Sequence, residues 1–352
     1  MAGHPSFAAR LVLHHDSLSW FSGRNAVKRR IQYRIPLEHA GALVLDLLAH
    51  RFPYHTREQW AVRVAEGLTR VNGAAVGAEQ MLGPGDVLEY IAPDVSEPMV
   101  DTNLQVLHDD SDIMVINKPP NLPCHPAGRY FDHTLWAELR RRFGIESPAF
   151  VNRIDRETSG LVVVARNDRA AKSCRTQFAR RRVTKRYVVL VEGHFPDSLE
   201  ACGQLVPDSA FGRHKRRLFL SECGGDTGTL GMTAGAERAE TFFRRLGDHE
   251  GISVVEAVPR TGRLHQIRAT LCSLGFPVVG DKLYGPDPAL FVRFCTDMLS
   301  DADWRLLRMK RQALHAAHLQ FRHPQGGRHL QFEAPLPGDM LALMGAGRQS
   351  PS

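Results

Sequence analysis

The stretch VNRIDRETSG, residues 151–160, sets Asp155 between Arg153 and Arg156 and runs straight into the apolar LVVVAR. A polar loop ahead of a buried strand is a place where a rigid scaffold presents a reactive side chain to a cleft. A guanidinium within roughly 4–6 Å favours the ionised carboxylate, so an aspartate held there is available as a nucleophile. On this stretch alone a structural cap or ion pair is the simpler account of Asp155. Two further stretches change that balance. TKRYVVLVEG brings Lys185 and Tyr187 to the start of a strand, and PRTGRLHQIRATL places Arg263, His265, Gln266 and Arg268 on a turn entering a helix. An aromatic ring can stack a base for roughly 1–3 kcal/mol, while arginines hold phosphate or pair with the aspartate.

Other chemistries are excluded by what the chain lacks. It contains no G-x-x-x-x-G-K-[ST] loop, no H-E-x-x-H, no G-x-S-x-G elbow and no zinc-deaminase signature. His315 and His318 stand three apart in LHAAHL, a spacing that reads as a strand with structural histidines rather than a metal pair. The sequence therefore predicts neither a metal nor a nucleotide cofactor. Six cysteines, at 124, 174, 202, 223, 272 and 295, form no C-x-x-C pair, which predicts reduced thiols in a cytoplasmic protein. No apolar run of membrane-spanning or signal-peptide length is present. Lys and Arg number 45 against 38 Asp and Glu, and the resulting +7 favours a polyanionic partner.

The elements that must position these groups fall into two regions, as 352 residues allow. Residues 1–35 show no clear periodicity and are expected to be an N-terminal extension. Residues 36–93 read as two helices and a small sheet: LVLDLLAHRF, then TREQWAVRVAEG capped by Thr56 and ended by Gly67, then the hairpin LTRVNGAAV and the strand of LGPGDVLEYIAP. Arg57, Arg63 and Arg70 stand available on one side of that module, either as contacts for a polyanion or merely as a solvated helix face. PDVSEPMVDTN marks a linker at 94–103, and residues 104–345 carry strands and helices without a regular strand-helix repeat. That pattern predicts an α+β domain on a mixed, largely antiparallel sheet with flanking helices. Residues 202–237 look like a loop or hairpin inserted between strands.

The first module resembles the small alpha-L RNA-binding fold, on TREQWAVRVAEGLTRVNG and LGPGDVLEY; RIPLEHAGALVLDLL replaces the Arg-Leu-Asp that usually opens it. The larger region resembles the RluA-type pseudouridine synthases. NRIDRETSGLVVVARN is similar to their His-Arg-Leu-Asp motif, TKRYVVLVEG to their Lys-x-Tyr strand, GRLHQIRATL to their Gly-Arg-Thr-His-Gln-Ile-Arg helix and RQALHAAHLQF to their closing strand. DIMVINKPPNLPCHP is similar to their Asn-Lys-Pro loop, and the resemblance covers about residues 104–338. It implies a pseudouridine synthase fold, Asp155 as the catalytic aspartate, Tyr187 as the ring against the target uracil and Arg268 as the partner of the aspartate. It also implies that Arg153 supports the space left by an extruded base. Lys118, Lys185, Arg263, His265 and Gln266 complete the expected substrate contacts. Asn152, Ile154 and Leu264 replace the family's usual His, Leu and Thr.

The implied reaction breaks the N-glycosidic bond of a uridine, rotates the uracil and rejoins it through C5, without an external cofactor. The carboxylate can attack the anomeric carbon, add to C6 of the base or promote glycal formation. Unstacking the target costs a few kcal/mol, which basic groups on the backbone offset. Arg180, Arg181, Arg182 and the RHKRR cluster at 213–217 are candidates for that grip. The expected partner is ribosomal or transfer RNA, with a monomer as the default state. Two other readings stand beside this one: a non-catalytic RNA-binding or ribosome-assembly protein, and a glycosidase, for which no second carboxylate is found.

Overall fold

Thr56, Gln59 and Gly67 punctuate a helix of the first unit in the way their types require. In this computed structural model the Thr56 hydroxyl accepts from the Gln59 N–H at 3.2 Å, and the Gln59 side chain accepts from the Thr56 N–H at 3.0 Å. The structure describes residues 29–52, 55–92, 97–127, 130–211, 216–222 and 235–345. Residues 1–28 of the expected extension, 213–215 of the basic cluster and 223–234 of the expected insertion lie outside the described residues. The chain divides into two units between Pro98 and Met99.

The first unit comprises β1 (Arg29–Arg34), α1 (Val44–Arg51), α2 (Arg57–Ala65), β2 (Thr69–Val71), β3 (Ala74–Ala75) and β4 (Val87–Ala92). Its sheet runs β1-β4-β2-β3. Residues 29–34, expected in the extension, instead form β1 and pair antiparallel with β4. Trp60, Leu47, Leu48, Val64 and Leu88 make its core. Asn72 and Gly73, both at positive φ, turn the β2-β3 hairpin, as Asn-Gly predicts.

The second unit begins with β5 (Gln105–Asp109), β6 (Ile113–Lys118), α3 (Leu135–Phe143), β7 (Ala149–Phe150), β8 (Ser159–Ala165) and α4 (Asp168–Ala179). It continues with β9 (Thr184–Glu192), β10 (Ser198–Pro207), β11 (Arg217–Ser221), β12 (Glu237–His249), β13 (Ile252–Pro259) and α5 (Gln266–Ser273). It closes with α6 (Leu290–Cys295), α7 (Asp301–Leu307), β14 (Leu314–Arg322), β15 (His329–Glu333) and α8 (Gly338–Leu343). One sheet runs β11-β10-β12-β13-β9-β14-β8-β6-β5, with β15 on β14 and β7 on β8. Its pairs are antiparallel except β14 on β8, so the mixed, largely antiparallel α+β expectation holds. The stretch 202–237 supplies most of β10 and all of β11, which pair antiparallel as consecutive strands, so of the two expectations it meets the hairpin rather than the loop.

Period-two alternation lets each central strand serve both faces. Leu161, Val163 and Ala165 of β8 pack with α4, whereas Val162 and Val164 pack with α3. Val189 and Val191 of β9 pack with α5, whereas Leu190 faces Met340 of α8. Helices on both faces explain why SGLVVVA is buried throughout and LVVVA is a continuous apolar run rather than an alternating one. Gly160 sits at φ +109° where β14 arrives, and a Cβ there would lie 2.3 Å from the Ala316 carbonyl oxygen. Among the described residues no helix is long and apolar enough to cross a membrane.

Candidate active site

The loop between β7 and β8 carries Asp155 and is fastened at several points. Asn152 bridges its base to β8: its amide nitrogen donates to the Leu161 carbonyl at 3.2 Å, and its amide oxygen accepts from Val163 N–H at 2.8 Å. Lys118, fully buried, donates to the carbonyls of Pro119 at 2.8 Å and Arg156 at 3.2 Å. Burial pushes the Lys118 pKa down to about 8. The Cys124 thiol donates to the Ile154 carbonyl at 3.4 Å, and Thr158 N–H donates to the Asp155 carbonyl at 3.2 Å. With these backbone groups satisfied, the loop holds the Asp155 side chain in a fixed place.

Arg268 enters from α5 and serves two carboxylates. Its Nε and Nη2 donate to Asp281 at 2.6 and 2.9 Å, a bidentate fork, leaving Nη1 to donate to Asp155 Oδ2 at 2.7 Å. Asp281 is fully buried and also accepts from Leu283 N–H and Tyr284 N–H at 3.0 and 2.9 Å. The Tyr284 ring lies 5.0 Å from the guanidinium carbon, adding a cation–π contact. Tyr284 in turn places its hydroxyl 3.0 Å from His265 Nδ1. Asp155 accepts a second, longer bond of 3.3 Å from the Gln312 amide, which also donates to the Thr158 hydroxyl at 2.6 Å.

Burial would raise the Asp155 pKa, but the Arg268 charge, the nearby His265 and the bonds from Arg268 and Gln312 outweigh it. The carboxyl is therefore held below its ordinary 3.8. Arg268 is held charged well above the ordinary arginine range: burial opposes this, and the Asp281 and Asp155 carboxylates overcome it. Asp155 keeps 29% of its side-chain surface open while Arg268 keeps 8% and Asp281 none, so Asp155 is the most open member of the trio.

It faces a pocket of about 120 Å³. Of the residues expected from sequence, Asp155, Tyr187, Arg268, Arg153, Lys185, Arg263, His265 and Gln266 all line it; Lys118 does not. Burial and the charge of Asp155 push the Tyr187 phenol up to about 12, so it stays protonated near neutral pH. Lys185 donates to the Thr261 carbonyl at 3.0 Å, and burial pushes its pKa down to about 8. Gln266 spends its amide inside the protein. Its oxygen accepts from the Thr261 hydroxyl and Arg263 N–H at 2.8 and 3.0 Å, and its nitrogen donates to Glu240 O and Thr241 Oγ1 at 3.0 and 2.9 Å. Gln266 thus builds the turn before α5. Exposed Arg153 makes no side-chain hydrogen bond to a described residue.

In the first unit, Arg57 pairs with Asp46, Arg63 donates to the Tyr90 hydroxyl at 3.1 Å, and Arg70 donates to the Gly73 carbonyl at 3.4 Å. His315 is structural: Nε2 lies 3.1 Å from the Ala334 carbonyl and Nδ1 2.9 Å from the Ser159 hydroxyl. Sequence reasoning missed Asp281, Tyr284 and Gln312. The available signal was GDKLYG, residues 280–285, whose Gly280 has φ +74° and no room for a Cβ, which would lie 2.0 Å from the Arg311 carbonyl oxygen.

A family model described as RNA pseudouridylate synthase matches residues 112–273. The chain is 33% identical over 300 residues to an uncharacterised RNA pseudouridine synthase of Bacillus subtilis, covering 82% of this chain and 87% of that one. It is 32% identical over 347 residues to the ribosomal large subunit pseudouridine synthase D of Xylella fastidiosa, covering 96% of each. Among solved structures, human RNA pseudouridylate synthase domain containing 1 aligns at TM-score 0.51 and 28% identity, covering 72% of this chain and 98% of that one. An ionised aspartate on a fixed loop, gripped by an arginine above a pocket with a tyrosine, accords with these likenesses. The chain belongs to the RluA-type family of RNA pseudouridine synthases, isomerases that act on RNA.

Proposed function

We propose that Asp155 is the catalytic aspartate, acting on a uridine extruded from structured RNA, with large-subunit ribosomal RNA as the first candidate substrate. The observation that carries this reading is the 2.7 Å bond from Arg268 to a partly open, ionised Asp155 at the wall of the pocket. The reaction balances without a redox partner. The bond from uracil N1 to ribose C1′ breaks, a bond from C5 to C1′ forms, C5 loses a proton and N1 gains one. Attack on C1′, addition at C6 and glycal formation each begin from a carboxylate, the form that Arg268 favours. Tyr187 lies against the base, and Arg153 and Lys185 take neighbouring phosphates or the gap in the stack. The large-subunit substrate is favoured because the relative named for it aligns over 96% of this chain.

Residues 29–92 would serve as an RNA-gripping module of the alpha-L kind, with Arg57, Arg63 and Arg70 exchanging internal partners for phosphates. The chain would act in the cytoplasm as a monomer, since Asp155, Tyr187 and Arg268 come from one unit. The test is a pseudouridine map of ribosomal and transfer RNA from cells with and without the gene, complemented by wild type or Asp155→Asn. The reading expects a ribosomal site that vanishes on deletion and returns with wild type only. A site confined to transfer RNA overturns the substrate, and return of the site with Asp155→Asn overturns the role of the aspartate.

A further inference from the structure

Away from the pocket, His108 and Asp110 near the β5-β6 turn meet His323, which follows β14. Leu314 at the other end of that strand lines the pocket, so roughly 25–30 Å of strand separates the two places. Both rings converge on one carboxylate oxygen: His108 Nε2 is 2.7 Å and His323 Nε2 2.9 Å from Asp110 Oδ2. The three donor atoms lie within 4.8 Å of one another. Asp110 Oδ1 is occupied elsewhere, accepting from Asp112 N–H and Ile113 N–H at 2.9 Å each, which aims Oδ2 at the imidazoles.

The far side of His323 decides what can lie between these atoms. Its Nδ1 is 2.6 Å from the Gln325 carbonyl oxygen, a contact that calls for a proton on Nδ1. In the neutral ring that proton leaves a lone pair on Nε2, aimed at a carboxylate oxygen that is itself an acceptor. Something positive must then sit between them. A carbonyl fixing the tautomer of a histidine whose other nitrogen faces inward is the usual outer support of a metal ligand. The Gln325 N–H, 3.1 Å from the same Nδ1, supports the opposite tautomer, with Nε2–H donating to Asp110; the carbonyl contact is the shorter.

We propose that His108 Nε2, Asp110 Oδ2 and His323 Nε2 form a site for a zinc-class divalent transition-metal ion. Two imidazoles with one carboxylate suit zinc, cobalt or nickel better than magnesium or calcium, which prefer oxygen alone. Bonds of about 2.0–2.1 Å would set the donors about 3.3 Å apart, so the rings must retreat by roughly half an ångström. The partly exposed side chains of His108 and Asp110, open by 22% and 27%, allow that movement and admit water to a fourth position. The ion would clip the β5-β6 turn to the end of β14, 213 residues apart in the chain, as a stabilising site rather than a catalytic one.

The test titrates tag-free, chelator-treated full-length protein with zinc by calorimetry, with cobalt absorption as a geometric readout and thermal unfolding as a second. One saturating zinc per chain, a tetrahedral cobalt spectrum and a raised Tm are expected. His108→Ala and His323→Ala should each weaken zinc binding at least tenfold while RNA isomerisation by metal-free protein stays at the wild-type rate. His194→Ala, at an exposed histidine elsewhere, should leave zinc binding unchanged. If a histidine variant does not fold, Asp110→Asn, which keeps an oxygen for the two turn N–H groups, must show the same loss. No saturable zinc binding, equal binding by the variants or equal preference for magnesium would overturn the site.

Discussion

Replacing Arg268 by Met should separate the stability of the buried network from its use in catalysis. The substitution strands Asp281, a fully buried carboxylate that receives both arms of the guanidinium fork. Breaking a buried pair by removing one partner costs about 3–5 kcal/mol, because the remaining charge is uncompensated. Adding Asp281→Asn removes that orphan charge while an amide oxygen can still accept from Leu283 and Tyr284 N–H. Most of the lost stability should therefore return in the double variant, measured by urea unfolding. Activity should not return, since Asp155 loses the 2.7 Å bond from Nη1 in both proteins. A charge-assisted bond of this kind is worth about 1.5–3 kcal/mol, so the isomerisation rate should fall roughly 10- to 150-fold. The pH profile should change as well. Arg268 is the largest of the influences that oppose burial at Asp155, so without it the acid limb of the rate should move upward from below pH 3.8. The reasoning fails if the single variant loses less than about 1 kcal/mol, or if the double variant recovers wild-type rate.

Three further outcomes follow from the same network and its surroundings. Asn152→Ala removes both bonds that tie the Asp155 loop to β8, and should cost about 1–3 kcal/mol by urea unfolding while lowering the rate more than RNA affinity. His315, fully buried, has its pKa lowered from 6.5 to about 4 by burial. The unfolded chain takes up that proton first, so stability should fall as pH drops from 6.5 towards 4, by at most about 3 kcal/mol, and His315→Asn should flatten the slope in unfolding measured at pH 7 and pH 5. Arg180 and Arg182 are exposed beyond α4; replacing both by Ala should lower the slope of log affinity against log salt by about 0.7–0.9 for each phosphate that is no longer neutralised, in a binding titration over salt.

Much of the site was legible because its chemistry sits in short motifs. Asp155, Tyr187 and Arg268 each lie in a short stretch that resembles a family motif, and the fold brings all three to one pocket although Asp155 and Arg268 are 113 residues apart. Asp281 and Gln312 were not read, because each acts through another residue: GDKLYG marks a glycine-bounded turn around Asp281 without naming its chemistry, and Gln312 stands in no stretch with a chemical signature. Gln312 meets Asp155 across 157 residues, a pairing that only the parallel arrival of β14 beside β8 creates. Lys118 is expected among the substrate contacts from its place in the Asn-Lys-Pro loop; in the fold it is buried and donates to two carbonyls, one of that loop and one of the Asp155 loop. Similarly, RRIQYR carries no strong strand signal and becomes β1 only because β4 offers it an edge. The α+β class was readable from the order of elements, whereas the order of strands in the sheet depends on contacts between distant segments.

The central claim is that the ionised Asp155 carboxylate carries the isomerisation. Forming the C5–C1′ bond expels the C5 hydrogen, so target RNA tritiated at uracil C5 reports turnover directly as label released to water. Single-turnover release should be rapid with wild type and slower by at least about a thousandfold with Asp155→Asn, while that variant binds the same RNA within a few-fold. Release by Asp155→Asn within tenfold of wild type would contradict the account.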